Sequence, residues 1–93
     1  MAVELHNVDT LVAPPGYSHV AVGRGGTVVF TAGAVPLDAE GDLVGEGDPV
    51  AQAVQVIENL LAALQTVGAQ PQDVAKTTVY VAGASFEAQS AVW

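Results

Sequence analysis

Apolar positions change their period along this chain, and each change marks an element. From Val50 to Val67, the residues Val50, Ala53, Val54, Ile57, Leu60, Leu61, Leu64 and Val67 recur at spacings of three and four. That spacing draws one broad apolar stripe along a helix. Gln52, Gln55, Glu58, Asn59 and Gln65 fall on the other side. Asp48 suits the N-cap and Pro49 the first helical position, while Gly68 is placed to end the helix in a left-handed cap.

Around this helix the pattern shortens to strands and turns. Val3 to Asn7 reads as a short edge strand and Ser18 to Gly23 as a second. Arg24-Gly25-Gly26 is a hairpin-type connection into a third strand, Thr27 to Pro36, rich in Val, Thr and Phe. Asp38 to Gly47 is acidic and glycine-rich, which suits a solvated loop. After the helix, Pro71-Gln72-Asp73 turns the chain into a strand from Val74 to Val81. Ser85 is placed to cap a second helix through Phe86 and Trp93. Besides the edge strand, two strands before a helix and one after it predict an α+β fold, with the helix packed on one sheet face.

Composition adds a tension to this layout. Ninety-three residues make a single domain, yet 51% are hydrophobic and only 13% charged. A small domain has little interior, so part of that apolar load is expected in a subunit interface rather than in an unusually apolar monomer. The formal net charge is −8, with Arg24 and Lys76 the only fixed positive charges. Nucleic acid and anionic membrane surfaces are therefore disfavoured as partners. The chain has no cysteine, which removes disulfides, thiol nucleophiles and thiolate metal sites. Met1-Ala2-Val3-Glu4-Leu5 has no basic region followed by an apolar run, so no signal peptide is visible, and no stretch approaches membrane-spanning length. The expectation is a soluble cytoplasmic protein.

Candidate chemistry is sparse. His6 and His19 lack a local metal-ligand pattern and read as surface or satisfied structural histidines. The acids between Asp38 and Asp48 do not have the spacing of a calcium loop. Ser18 and His19 are adjacent, but neighbours on a strand point to opposite faces, which speaks against a nucleophile–base pair. Tyr17 follows Pro14-Pro15-Gly16, a rigid corner, so its hydroxyl can orient a substrate or water; the plainer alternative is an aromatic plug. Gly33 interrupts a β-branched and aromatic run. It marks either a bulge or close approach of a ligand to the backbone, or close packing against the helix or a neighbouring subunit.

Several short stretches then occur in a telling order: Gly16-Tyr17-Ser18, Val29-Phe30-Thr31-Ala32-Gly33-Ala34-Val35-Pro36-Leu37-Asp38, Ala51-Gln52 with Glu58-Asn59-Leu60, and Lys76-Thr77-Thr78-Val79-Tyr80. Together they resemble the Rid family, the YjgF-type reactive-intermediate deaminases also described as endoribonuclease L-PSP-like. The resemblance covers nearly the whole chain, 1–93, as a single domain. It implies a chorismate-mutase-like α+β fold, a mixed sheet with helices packed on one face, assembled as a homotrimer with clefts between subunits. It also implies hydrolysis of enamines and imines, such as 2-iminobutanoate and 2-iminopropanoate, to 2-keto acids and ammonia, with no metal and no organic cofactor.

In the resembling family a tyrosine orients the reacting group, an arginine holds the substrate carboxylate, and a glutamate positions or activates water. Tyr17 matches the tyrosine as the catalytic candidate, and Gly33 matches a substrate-binding glycine. The serine before that glycine is Ala32 here, the glutamine after it is Ala34, and the asparagine of the second helix corresponds to Ser90. Ala32 and Ser90 are thus substituted members of the substrate-binding set. Thr31 carries a hydroxyl one residue earlier, which strand alternation would aim at the opposite face. The arginine and glutamate of the pattern fall beyond Trp93, so the domain is expected to lack the family's C-terminal elements, as a fragment or shortened product would. Two functional readings follow: an imine or enamine deaminase, and a non-catalytic trimer binding a small metabolite between subunits. RNA cleavage, an activity sometimes attached to this family, is opposed by the charge of −8.

Overall fold

The computed structural model describes residues 3–83 and 85–93; the reading of Met1 and Ala2 as part of a leaderless N-terminus lies outside them. Strand β1 (Glu4–His6) pairs antiparallel with strand β2 (Val20–Val22), setting Glu4 opposite Val22, Leu5 opposite Ala21 and His6 opposite Val20. Helix α1 spans Pro49–Thr66 and helix α2 Phe86–Val92, with a 3-10 turn at Pro71–Asp73 between them. The content is α+β, and the described sheet has two strands.

Helix α1 begins and ends where local chemistry dictates. Asp48 is extended, and its carboxylate accepts a hydrogen bond from the Ala51 N–H at 3.2 Å. At the other end Gly68 has φ +75. Its N–H donates to the Gln65 carbonyl at 3.0 Å, and the Ala69 N–H donates to the Leu64 carbonyl at 2.9 Å. This pair of bonds is a Schellman cap, which satisfies carbonyls that the helix leaves open. Ser85 caps α2 by accepting from the Ala88 N–H at 3.2 Å.

The apolar stripe of α1 divides. Leu64 is the buried hydrophobic residue among those described, while Ala53, Val56 and Leu60 above it are half-buried. Val50, Val54, Ile57 and Leu61 stay exposed. The stripe is thus wider than the surface it meets.

Two expected strands do not form. Residues 27–35 and 74–81 carry no ladder, although their β-branched content favours one. Side-chain propensity describes fitness for a pleated surface; a strand also needs a partner for its N–H and C=O groups. An isolated Leu37–Leu43 bridge is the nearest equivalent. It closes the acidic segment on itself, with the Glu40 and Asp42 N–H groups donating to the Asp38 carboxylate at 3.0 and 2.9 Å. Asn59 on α1 anchors the preceding segment: its Nδ2 donates to the Val35 and Leu37 carbonyls, both at 2.9 Å, while its Oδ1 accepts from Gln55 at 2.9 Å.

The resulting shape is a plate of 40 × 33 × 14 Å with a radius of gyration of 15.3 Å. A compact chain of this length has about 12 Å. The accessible surface is 7228 Å², against about 5,000 Å² for a folded monomer of this mass. One broad layer with little beneath it positions everything that follows.

Candidate functional site

Tyr17 sits where the sequence places it, at the corner before β2. Gly16 has φ +76, a conformation open to glycine, and swings the chain out of Pro14-Pro15. The tyrosine ring meets the His19 ring edge to face, with centroids 6.3 Å apart and planes at 73°. His19, half-buried, is tied to the loop behind Tyr17: Nδ1 accepts from the Val8 N–H at 2.8 Å, and Nε2 lies 3.0 Å from the Val12 carbonyl oxygen. The His19 N–H donates to the Asn7 side-chain oxygen at 3.3 Å. The histidine is a satisfied structural residue, as its sequence context suggested.

Beside this corner lies the end of α2. The Trp93 indole nitrogen is 3.8 Å from the place a Cβ on Gly16 would occupy. Trp93 and Ser90 line an open groove of about 490 Å³ with Val79, Val81, Gln89 and Val92. Gly16 and Trp93 therefore join the Tyr17 corner to the Ser90 groove.

Ala32 and Gly33 belong to a different groove, of about 420 Å³, between residues 29–35 and the Asn59, Leu60, Ala63 and Val67 positions of α1 and its cap. A Cβ added at Gly33 would meet nothing within 4 Å. Close packing against the helix within one chain is thus not seen at this glycine. Thr31 lines this groove together with Ala32. Strand alternation does not apply to it, because no strand forms there. Within one chain, then, Ser90 lines one groove, Ala32 and Gly33 line another, and Tyr17 is in the lining of neither.

Among the described residues, neither groove is lined by an acidic or basic side chain; their polar side chains are Thr31 and Asn59 in one, Gln89, Ser90 and the Trp93 indole in the other. Arg24 donates from Nε to Glu4 at 3.2 Å, and Glu4 also lies 2.6 Å from His6 Nε2. These exposed groups tie β1 to the turn after β2 rather than facing a groove. Among the described residues no group of three or more His, Cys, Asp or Glu could hold a metal ion, and no helix is long and apolar enough to cross a membrane. The anchoring roles of His19 and Asn59 were not readable from the sequence, because their partners lie 7–24 residues away.

The described residues thus give a thin α+β layer with a tyrosine at a glycine corner and two apolar grooves. Residues 9–93 match the family model described as Endoribonuclease L-PSP. The chain belongs to that family, the Rid or YjgF family that its motifs resemble. It is 43% identical over 81 residues to a RutC family protein of Pyrococcus abyssi, covering 87% of this chain and 63% of the relative. It is 39% identical over 82 residues to a RutC family protein of Synechocystis, covering 87% and 62%. A Salmonella typhimurium protein named 2-iminobutanoate/2-iminopropanoate deaminase is 41% identical over 56 residues, 60% of this chain and 43% of its own. The chain thus spans less than two thirds of the length of these relatives. No solved structure matches it.

Proposed function

We propose that this chain is a Rid-type subunit acting on 2-imino acids such as 2-iminobutanoate and 2-iminopropanoate, releasing 2-keto acid and ammonia. The observation that carries this reading is the Tyr17 corner, braced by His19 and opening beside the Ser90 groove. The Salmonella relative's name supports the choice of substrate. An enamine substrate is first protonated at carbon to give the iminium. A water oxygen then forms a bond to the iminium carbon as the C=N π pair moves to nitrogen. One proton passes from that oxygen to nitrogen and the other to solvent water; the C–N bond then breaks with its electron pair, and ammonia leaves as C=O forms. The iminium carbon is already electrophilic, so placing water and substrate together supplies much of the catalysis. The Tyr17 hydroxyl would orient the reacting group, with the Gly33 backbone and the Ala32 and Ser90 positions forming walls of the cleft.

This reading includes a homotrimer, because the Ser90 and Gly33 grooves are separate within one chain and a cleft holding both would be completed by a neighbour. It also includes a fuller, mixed sheet with the helices on one face, in which residues 27–35 and 74–81 gain partners. Semicarbazide trapping of imines generated by an amino-acid oxidase tests the chemistry. We expect imine loss above the buffer rate, reduced about tenfold or more by Tyr17→Phe if the hydroxyl orients the reacting group. A rate equal to buffer for these imines would overturn it.

A second reading has its own observation. Neither groove presents a charged side chain, and Ala32, Ala34 and Ser90 replace polar residues of the family pattern. Such a cleft would bind a small metabolite without turning it over. Calorimetric binding of a 2-keto acid without imine hydrolysis would select this reading. The charge of −8 argues against RNA as the ligand in either case.

A further inference from the structure

The loop that carries Tyr17 is held by one imidazole, and the identity of its partners fixes that ring's protonation. The chain leaves β1 at His6, and Asn7 stands where the register would place it opposite His19. The Leu11 N–H donates to the Val8 carbonyl at 3.0 Å, closing a turn, and the chain then runs through Pro14-Pro15-Gly16 back to His19. The His19 ring lies across this loop. A backbone N–H can only donate and a backbone carbonyl can only accept. Nδ1, 2.8 Å from the Val8 nitrogen, must therefore be bare, and Nε2, 3.0 Å from the Val12 oxygen, must carry the proton.

We propose that His19, as the neutral Nε2–H tautomer, is the positioning residue for the Tyr17 loop, and that protonating it releases the loop. A proton on Nδ1 would set one N–H against another at 2.8 Å, turning an attraction into a repulsion and leaving the Val8 N–H without its acceptor. Acidification is what drives a proton onto a bare imidazole nitrogen, so lowering the pH is what opens the clamp. The loop segment from Val8 to Val12 would separate from the base of β2, and Tyr17 would lose the edge-to-face contact that orients its ring. The titratable groups on the surrounding elements are Glu4 and His6 on β1, Arg24 after β2, and Asp9 and Tyr17 in the loop itself. Glu4 is engaged by His6 and Arg24. The ring nitrogens of His19 bond to backbone groups, so the switch is local to the loop.

Glutamine separates this role from general destabilisation. Its amide oxygen can accept from Val8 and its NH₂ can donate to Val12, but it does not titrate. The experiment is nitrogen-resolved NMR of the His19 ring, with amide-exchange protection of Val8, corrected for intrinsic exchange, across about pH 5 to 8. We expect a bare Nδ1 at the upper end and Val8 protection falling about tenfold or more as the ring protonates. H19Q should keep Val8 protected at every pH, and H19A should lose protection throughout. A proton on Nδ1 at the upper end would overturn the proposal, as would pH-independent protection in the wild type. So would H19Q following the wild-type profile, since that would place the titration on Asp9 or His6. The loop's bearing on imine chemistry rests on the function proposed above; the clamp itself does not. Loss of the switch with imine hydrolysis intact sinks only the clamp, and an intact switch without imine hydrolysis sinks only the deaminase reading.

Discussion

Gly45 has φ +78, and an added Cβ would lie 2.9 Å from both the Ala51 Cβ and the Gln52 nitrogen. Its carbonyl also accepts from the Asp48 N–H and from Gln52 Nε2, both at 2.9 Å. The residue thus fixes how the acidic loop meets the first turn of α1. Gly45→Ala combines a strained backbone with a contact against main chain, which gives way least. We expect a loss of about 2 kcal/mol in urea unfolding followed by helix ellipticity. Gly25 isolates the first contribution: its φ is +60 but nothing lies within 4 Å of an added Cβ, so Gly25→Ala should cost about 1 kcal/mol. Equal effects at the two sites would show that the Ala51 contact carries no weight. The glycine corner before Tyr17 was legible at this scale through turn chemistry. The use of His19 was not, because its ring bonds to Val8 and Val12, across the loop.

At the scale of elements, α1 was legible from end to end because everything that defines it is local. The cap at Asp48, the proline that follows it, the recurring apolar positions and the Schellman glycine all lie within one stretch of sequence. Residues 27–35 and 74–81 had the composition of strands but not the outcome, since a ladder depends on a partner far away in sequence. Residues 35–37 are held instead by the Leu37–Leu43 bridge, by the Val44 N–H on the Pro36 carbonyl and by Asn59, which reaches 22–24 residues back to two carbonyls. Asn59→Asp keeps the shape and removes both donors, setting a carboxylate oxygen against carbonyl oxygens that Nδ2 had served. This should cost about 1–3 kcal/mol and free residues 35–37, with faster amide exchange at the Leu37 N–H. A helix that destabilises without any change at Leu37 would show that the anchor is dispensable. Because the same asparagine stands at the rim of the Gly33 groove, the variant should also weaken any ligand held there.

The whole plate exposes about 2,200 Å² more than a folded monomer of its mass would. Phe30 at 91%, Tyr80 at 91% and Phe86 at 82% exposed account for part of that excess, alongside the outer stripe of α1. Exposed apolar area on this scale favours association, whereas a net charge of −8 on every subunit opposes it. The two effects differ in range. Apolar contact acts only where surfaces touch, but at about 0.01 M salt the Debye length is about 30 Å, comparable to the 40 × 33 Å face. Charges across one whole subunit then repel those on the next. At about 0.15 M the length falls to about 8 Å, and only charges near the contact rim still interact. Salt should therefore promote assembly, the reverse of its effect on an interface held by ion pairs. Sedimentation equilibrium should find a mass three times that of the chain, with association tightening about tenfold between these salt concentrations. A chain that remains monomeric at both would remove the shared cleft, and with it the means proposed here for bringing Tyr17, Gly33 and Ser90 to one substrate.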